Sequence, residues 1–139
     1  MKTGSKQRGF LTIKNLIIVL MFGFFLTCGF KILPAYFDNR FIVAALKSVG
    51  ESDPPLHERS ASEIKSALQS TLTLNNIRGD VLKNIEVVRD KGKVFVNIDY
   101  EVRQNLFSNL DVVMVFENQL DSSRPDLCCE RLHTVSKKK

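Results

Sequence analysis

Cys128, Cys129 and His133 are the residues whose types most readily suggest chemistry, because thiolate and imidazole together bind zinc. Zinc sites close a tetrahedral shell with a fourth ligand at short, regular spacing, and none stands here. Adjacent cysteines pair with each other only through a strained ring, so free thiols are expected, with cross-linking of two chains as the alternative in an oxidising compartment. Cys28 lies in an apolar run and reads as a small apolar side chain. His57 stands in a proline-containing loop with no nucleophile beside it, and a general base needs a partner within hydrogen-bond reach. Asp99 and Glu101 alternate along one strand face like paired carboxylates, but Arg103 continues the row, which reads as a solvated surface with local charge pairing. Ser62, Ser66 and Ser70 share a helix face without a base, and Arg78-Gly79-Asp80 reads as a turn. No catalytic, cofactor-binding or metal-binding residue is therefore assigned, and a non-enzymatic protein without a cofactor is expected.

The elements carry more information than these side chains. The 139 residues include 20 Lys+Arg and 15 Asp+Glu, a formal net charge of +5. Lys2, Lys6, Arg8, Lys14 and Lys31 precede the first acidic residue, Asp38, and from there 15 acidic residues meet 15 basic ones. The basic excess is thus a topology signal at one end of an apolar segment, not a phosphate-binding surface, and no nucleic-acid partner is expected. Leu16–Phe30 is free of charge but short of the roughly 20 residues that cross a bilayer. Extension to Phe37 supplies the length, with Lys31 snorkelling toward the headgroups and Pro34 bending the helix. The lipid bilayer is the first partner implied.

Past the bilayer, Phe37, Phe41, Ala44, Ala45 and Val49 recur at helical spacing, and Gly50 suits a C-terminal cap. One long rod is expected, followed by a loop at Glu51-Ser52-Asp53-Pro54-Pro55. Ser60-Ala61-Ser62-Glu63 reads as a capping box opening a helix with Ile64, Ala67, Leu68 and Leu72 on one face. Leu74–Asn84 is ambiguous between turns and another helical turn. Ile85–Arg89 and Val94–Arg103 form a hairpin about Asp90-Lys91-Gly92-Lys93, with Gly92 at positive φ. Val94, Val96, Ile98, Tyr100 and Val102 face inward, and Asn97, Asp99, Glu101 and Arg103 outward. A third strand, Leu110–Phe116, turns Leu110, Val112, Met114 and Phe116 inward and adds Val113 and Val115 to the other face.

The fold expected is α+β: a long N-terminal transmembrane helix continuing into an amphipathic helix, packed against a small antiparallel β-meander of three or four strands. The divisions are a cytoplasmic basic leader over 1–9, the transmembrane helix over 10–37, a periplasmic α+β domain over 38–120 and a flexible tail over 121–139.

Lys6-Gln7-Arg8-Gly9-Phe10-Leu11-Thr12-Ile13 resembles the leader of type IV prepilins, cut after a glycine that precedes Phe. Those proteins carry Glu at the fifth mature position, where this chain has Lys14, a charge reversal that opposes filament assembly. Thr27-Cys28-Gly29 leaves a cleaved secretory peptide as a further alternative; Phe25-Leu26-Thr27 before Cys28 departs from a lipoprotein signal. The reading adopted is an uncleaved anchor.

A wider likeness spans Arg8 to Gln119. Arg8-Gly9-Phe10, Lys31-Ile32-Leu33-Pro34-Ala35-Tyr36, Asp99-Tyr100-Glu101-Val102-Arg103, Leu106-Phe107-Ser108-Asn109-Leu110-Asp111 and Phe116-Glu117-Asn118-Gln119 together resemble the domain of unknown function 4845 family. The resemblance implies a small single-pass inner-membrane protein of Gram-negative bacteria, with no assigned catalytic residues. Genes of the family often adjoin that of signal peptidase I, which implies a role near protein export. The function expected is therefore a non-enzymatic single-pass protein, N-terminus cytoplasmic, with a periplasmic interaction domain, whose apolar membrane helix and second sheet face dock another envelope membrane protein such as signal peptidase I. The alternative is a pseudopilin-like filament subunit processed after Gly9.

Overall fold

The computed structural model describes residues 12–131, so the basic leader, the Gly9–Phe10 bond, His133 and the terminal lysines lie outside the described residues. Helix α1 spans Ile13–Gly50, 38 residues, and runs through Pro34 without ending there. Its two halves differ in surroundings. Ile17, Val19, Leu20, Phe22, Phe25 and Phe30 all lie exposed, and this is a helix long and apolar enough to cross a membrane. The second half is amphipathic and packs on the sheet. An α-helix satisfies its own backbone groups, so one element serves both settings.

The buried stripe of α1 is Ala35, Ile42, Ala45, Leu46 and Val49, which keeps Ala45 and Val49 of the expected one and corrects the rest. Phe37 and Phe41 are about half exposed, and Ala44 is exposed as well. Two apolar stripes run along this helix, and Asn39 interrupts the buried one. The structure explains its place: Asn39 Oδ1 accepts from Tyr100 Oη at 3.2 Å and Asn118 Nδ2 at 2.8 Å, so a polar residue belongs to the buried face. Gly50 is also corrected. It is the last helical residue, ahead of a right-handed cap at Glu51, and a Cβ there would come within 3.0 Å of Leu120 Cδ1. Close approach of the third strand, not a left-handed cap, accounts for this glycine.

Helix α2, Ala61–Leu74, opens with the expected capping box, in which Ser60 Oγ accepts from Glu63 N–H and the Glu63 carboxylate accepts from Ser60 N–H. Ile64, Leu68 and Leu72 are fully buried along its inner face. A single helical turn, α3 (Asp80–Lys83), follows Gly79 at φ 82.

The sheet has three antiparallel strands in the order β1 (Ile85–Asp90), β2 (Lys93–Phe107), β3 (Leu110–Asp121). A two-residue turn joins β1 to β2 with Lys91 at φ 48 and Gly92 at φ 78, the primed geometry that matches strand twist. Both helices cover one face, against Val94, Val96, Ile98, Tyr100, Met114, Phe116 and Leu120. The other face departs from expectation. Phe95 and Asn97 are buried, and Gln119 Nε2 donates to Asn97 Oδ1 at 2.9 Å. β3 runs five residues beyond its expected end, and the chain then returns beside it: Gln119 N donates to the Cys129 carbonyl at 3.2 Å, and Arg131 reaches Asp99 and Glu117.

β2 and β3 outrun β1, whose register stops at Ile85 opposite Ile98. The remainder of that hairpin lies along α1. Near its tip a bulge at Leu106 shifts the register from Asn105 opposite Asp111 to Phe107 opposite Leu110. One extra residue transfers the next side chain to the other face, and Phe107 thereby joins the helix side.

Candidate membrane-proximal interaction surface

Where α1 leaves its apolar run, three levels of contact tie it to the long hairpin. Farthest from the run, Asn39 meets Tyr100 and Asn118, while Tyr36 packs edge-on against Phe116 with centroids 5.4 Å apart. At the middle level Lys31 Nζ donates to the carbonyls of Asn105 (2.9 Å) and Leu106 (2.8 Å), and Gln104 Nε2 donates to the Lys31 carbonyl. Both carbonyls lie at the bulge, and Lys31 gives them a charged donor. At the last level Phe24 stacks on Phe107, centroids 5.5 Å apart and planes 9° from parallel.

Two rulers agree on this arrangement. Asn39 to Phe24 is fifteen helical residues, about 22 Å at 1.5 Å each, and Tyr100 to Phe107 is seven strand residues, about 23 Å at 3.3 Å each. The hairpin therefore runs down the helix toward its N-terminus, in register with it.

Burial pushes the Tyr100 hydroxyl well above its ordinary range, and the negative charge of Asp38 adds to the effect. It stays a neutral donor to Asn39. Beside this contact α1 keeps apolar surface: Leu33, Tyr36 and Phe37, with Asn39 and Arg40, line a shallow depression of about 390 Å³, and Phe41 lies exposed one turn further on.

The residues considered for chemistry fall elsewhere. His57 is exposed, its Nε2 3.7 Å from Glu58, and its carbonyl accepts from Arg89. Asp99 pairs not with Arg103 but with Arg131, whose Nη1 lies 3.2 Å from Asp99 Oδ2 and 3.0 Å from Glu117 Oε1. Asp99 and Glu117 are direct cross-strand partners, so the guanidinium relieves two opposed carboxylates. Ser62 bonds Ser60, while Ser66 and Ser70 stay on the exposed face of α2. The side chains of the adjacent Cys128 and Cys129 lie against each other, and Cys28 is free. Among the described residues no three His, Cys, Asp or Glu side chains gather where they could hold a metal ion. Sequence reading missed the set Lys31, Asn39, Gln104, Asn105 and Phe107. Its one local signal was Lys31, a lone cation directly after a charge-free run.

Fold and surface define a class: a long apolar helix whose far half forms the spine of a small α+β domain, with polar contacts gathered where the helix changes environment. The chain belongs to the domain of unknown function 4845 family, whose model matches residues 31–116. The match begins at Lys31 and takes in the whole hairpin tip. No curated protein and no solved structure matches the chain.

Proposed function

We propose that this is a non-enzymatic single-pass inner-membrane protein, N-terminus cytoplasmic, whose periplasmic domain docks another envelope membrane protein. The observation that carries the reading is the uninterrupted α1, which joins an exposed apolar stretch to a folded domain without a flexible linker. A domain so held stands at a fixed height and orientation over the bilayer. The apolar strip Leu33, Phe37 and Phe41, left over once the core stripe is buried, supports a neighbouring membrane protein as the occupant of that side. Signal peptidase I is the partner proposed first, on the resemblance to a family whose genes adjoin its own. The basic excess before Asp38 supports a cytoplasmic N-terminus.

A photo-crosslinking amino acid at Phe41 in living cells tests the docking. The expected adduct contains signal peptidase I or another inner-membrane protein and is missing when the crosslinker replaces Glu86 on β1. Equal yields from both positions, or none, would refute it.

A pseudopilin-like subunit is the second reading, favoured by a long N-terminal helix whose far half packs on an antiparallel meander. Lys14 in place of a filament glutamate opposes it. It requires cleavage after Gly9, so an intact mass that retains Met1 eliminates it.

A further inference from the structure

The two ends of the sheet are built from opposite materials. The β1–β2 turn is Asp90-Lys91-Gly92-Lys93, charged and suited to water. The β2–β3 tip presents Phe107 and Leu110 instead, 41% and 55% exposed and directly paired across the strands. This tip reaches seven residues below Lys31 on α1, about 10 Å along the axis, to stack on Phe24 within the charge-free run.

We propose that the β2–β3 tip is a lipid wedge, entering the boundary between headgroups and acyl chains in the leaflet on the domain side. The proposal rests on reading α1 as the membrane anchor. Four observations favour lipid over water or a protein partner. The exposed faces of Phe107 and Leu110 are continuous with those of Phe24 and Phe25, so what surrounds that part of the helix surrounds the tip. The backbone there is provided with partners, as burial beside lipid demands: Lys31 serves the carbonyls of Asn105 and Leu106, and Asn105 Nδ2 donates to the Ser108 carbonyl (3.0 Å) and to Asp111 Oδ1 (2.7 Å). The bulge at which Lys31 binds is the same one that turns Phe107 onto the helix side. Finally, amphipathic elements at interfaces sit about 5–10 Å deep with aromatic and leucine side chains beside polar ones, and here Phe107 and Leu110 flank the polar turn Ser108-Asn109. Lys31 thus acts as a clasp between two inserted elements, and the domain rests on the bilayer at two points.

The chain contains no tryptophan, which makes the test direct. Single-tryptophan variants Phe107→Trp, Leu110→Trp, Phe22→Trp within α1 and Asp90→Trp at the opposite end of the sheet are reconstituted as full chains into phosphatidylcholine vesicles with and without acyl-chain bromination. The expected result is quenching of Phe107→Trp and Leu110→Trp by the brominated lipid at least threefold stronger than of Asp90→Trp, with the reverse order for aqueous iodide. Quenching of Phe22→Trp but not of the two tip variants would overturn the wedge while leaving the anchor intact. Tip variants shielded from both quenchers would assign the tip to a protein contact and equally overturn it. Failure of Phe22→Trp to respond to bromine would remove the anchor itself.

Discussion

Lys31 illustrates how a residue legible in kind can be illegible in role. A lone cation after a charge-free run reads as a headgroup-seeking side chain, yet its amine is bound by carbonyls more than seventy residues away in the chain. No local pattern reports such a contact. Lys31→Met removes a charged donor from two bulge carbonyls and should cost about 1–3 kcal/mol, read by denaturant titration of the full chain in detergent. An unchanged midpoint would show the clasp to be inert. Asn39 was missed for a related reason, because its amide is an asset only when Tyr100 and Asn118 face it. Asn39→Ala strands both donors and should lower stability by about 1–3 kcal/mol, and adding Tyr100→Phe should cost less than the sum of the two single changes. Strict additivity in that cycle would contradict a shared network.

At the scale of elements, what the chain spells locally was readable. Period-two alternation located β2, the hairpin pattern located β1, Gly92 located their turn, and Ser60 with Glu63 located the start of α2. What depends on distant partners was not: the stripe of α1 that is buried, the burial of Phe95 and Asn97, and the extra length of β3 all follow from packing across the fold. Glu63 and Asp121 add a pH dependence to these local devices. Hydrogen bonds from the Ser60 N–H and hydroxyl hold the Glu63 carboxyl below its ordinary range. Burial acts the other way on Asp121, but the Ser123 hydroxyl and N–H, with Lys93 and Arg124, outweigh it and lower that carboxyl too. Both groups are more acidic folded than unfolded, so their stabilisation is complete above the ordinary carboxylate range near 4 and drains away as pH falls through the lower folded values. Thermal midpoints of the double variant Glu63→Gln, Asp121→Asn should accordingly fall less steeply than wild type below pH 4, while lying lower at neutral pH. A variant curve parallel to wild type would exclude these carboxyls as the source. Ser60→Ala should cost about 1 kcal/mol by loss of the cap, with Ser60→Asp restoring most of it.

At the scale of the whole molecule one helix carries an exposed apolar half and a half packed into the domain, and the family match to residues 31–116 begins at Lys31, between them. Composition made the division visible, since every acidic residue lies at or beyond Asp38 and the charge-free run lies before it. The hairpin's descent along α1 was hidden because its length only matters once Ile98 is seen to be where β1 stops. The account depends on the exposed apolar half of α1 residing in lipid, where the many phenylalanine and aliphatic side chains it presents would otherwise stand in water. Alkaline carbonate washing of membranes from cells producing the full chain examines this most directly. The chain should remain in the pellet with integral proteins; its release into the supernatant would contradict the account.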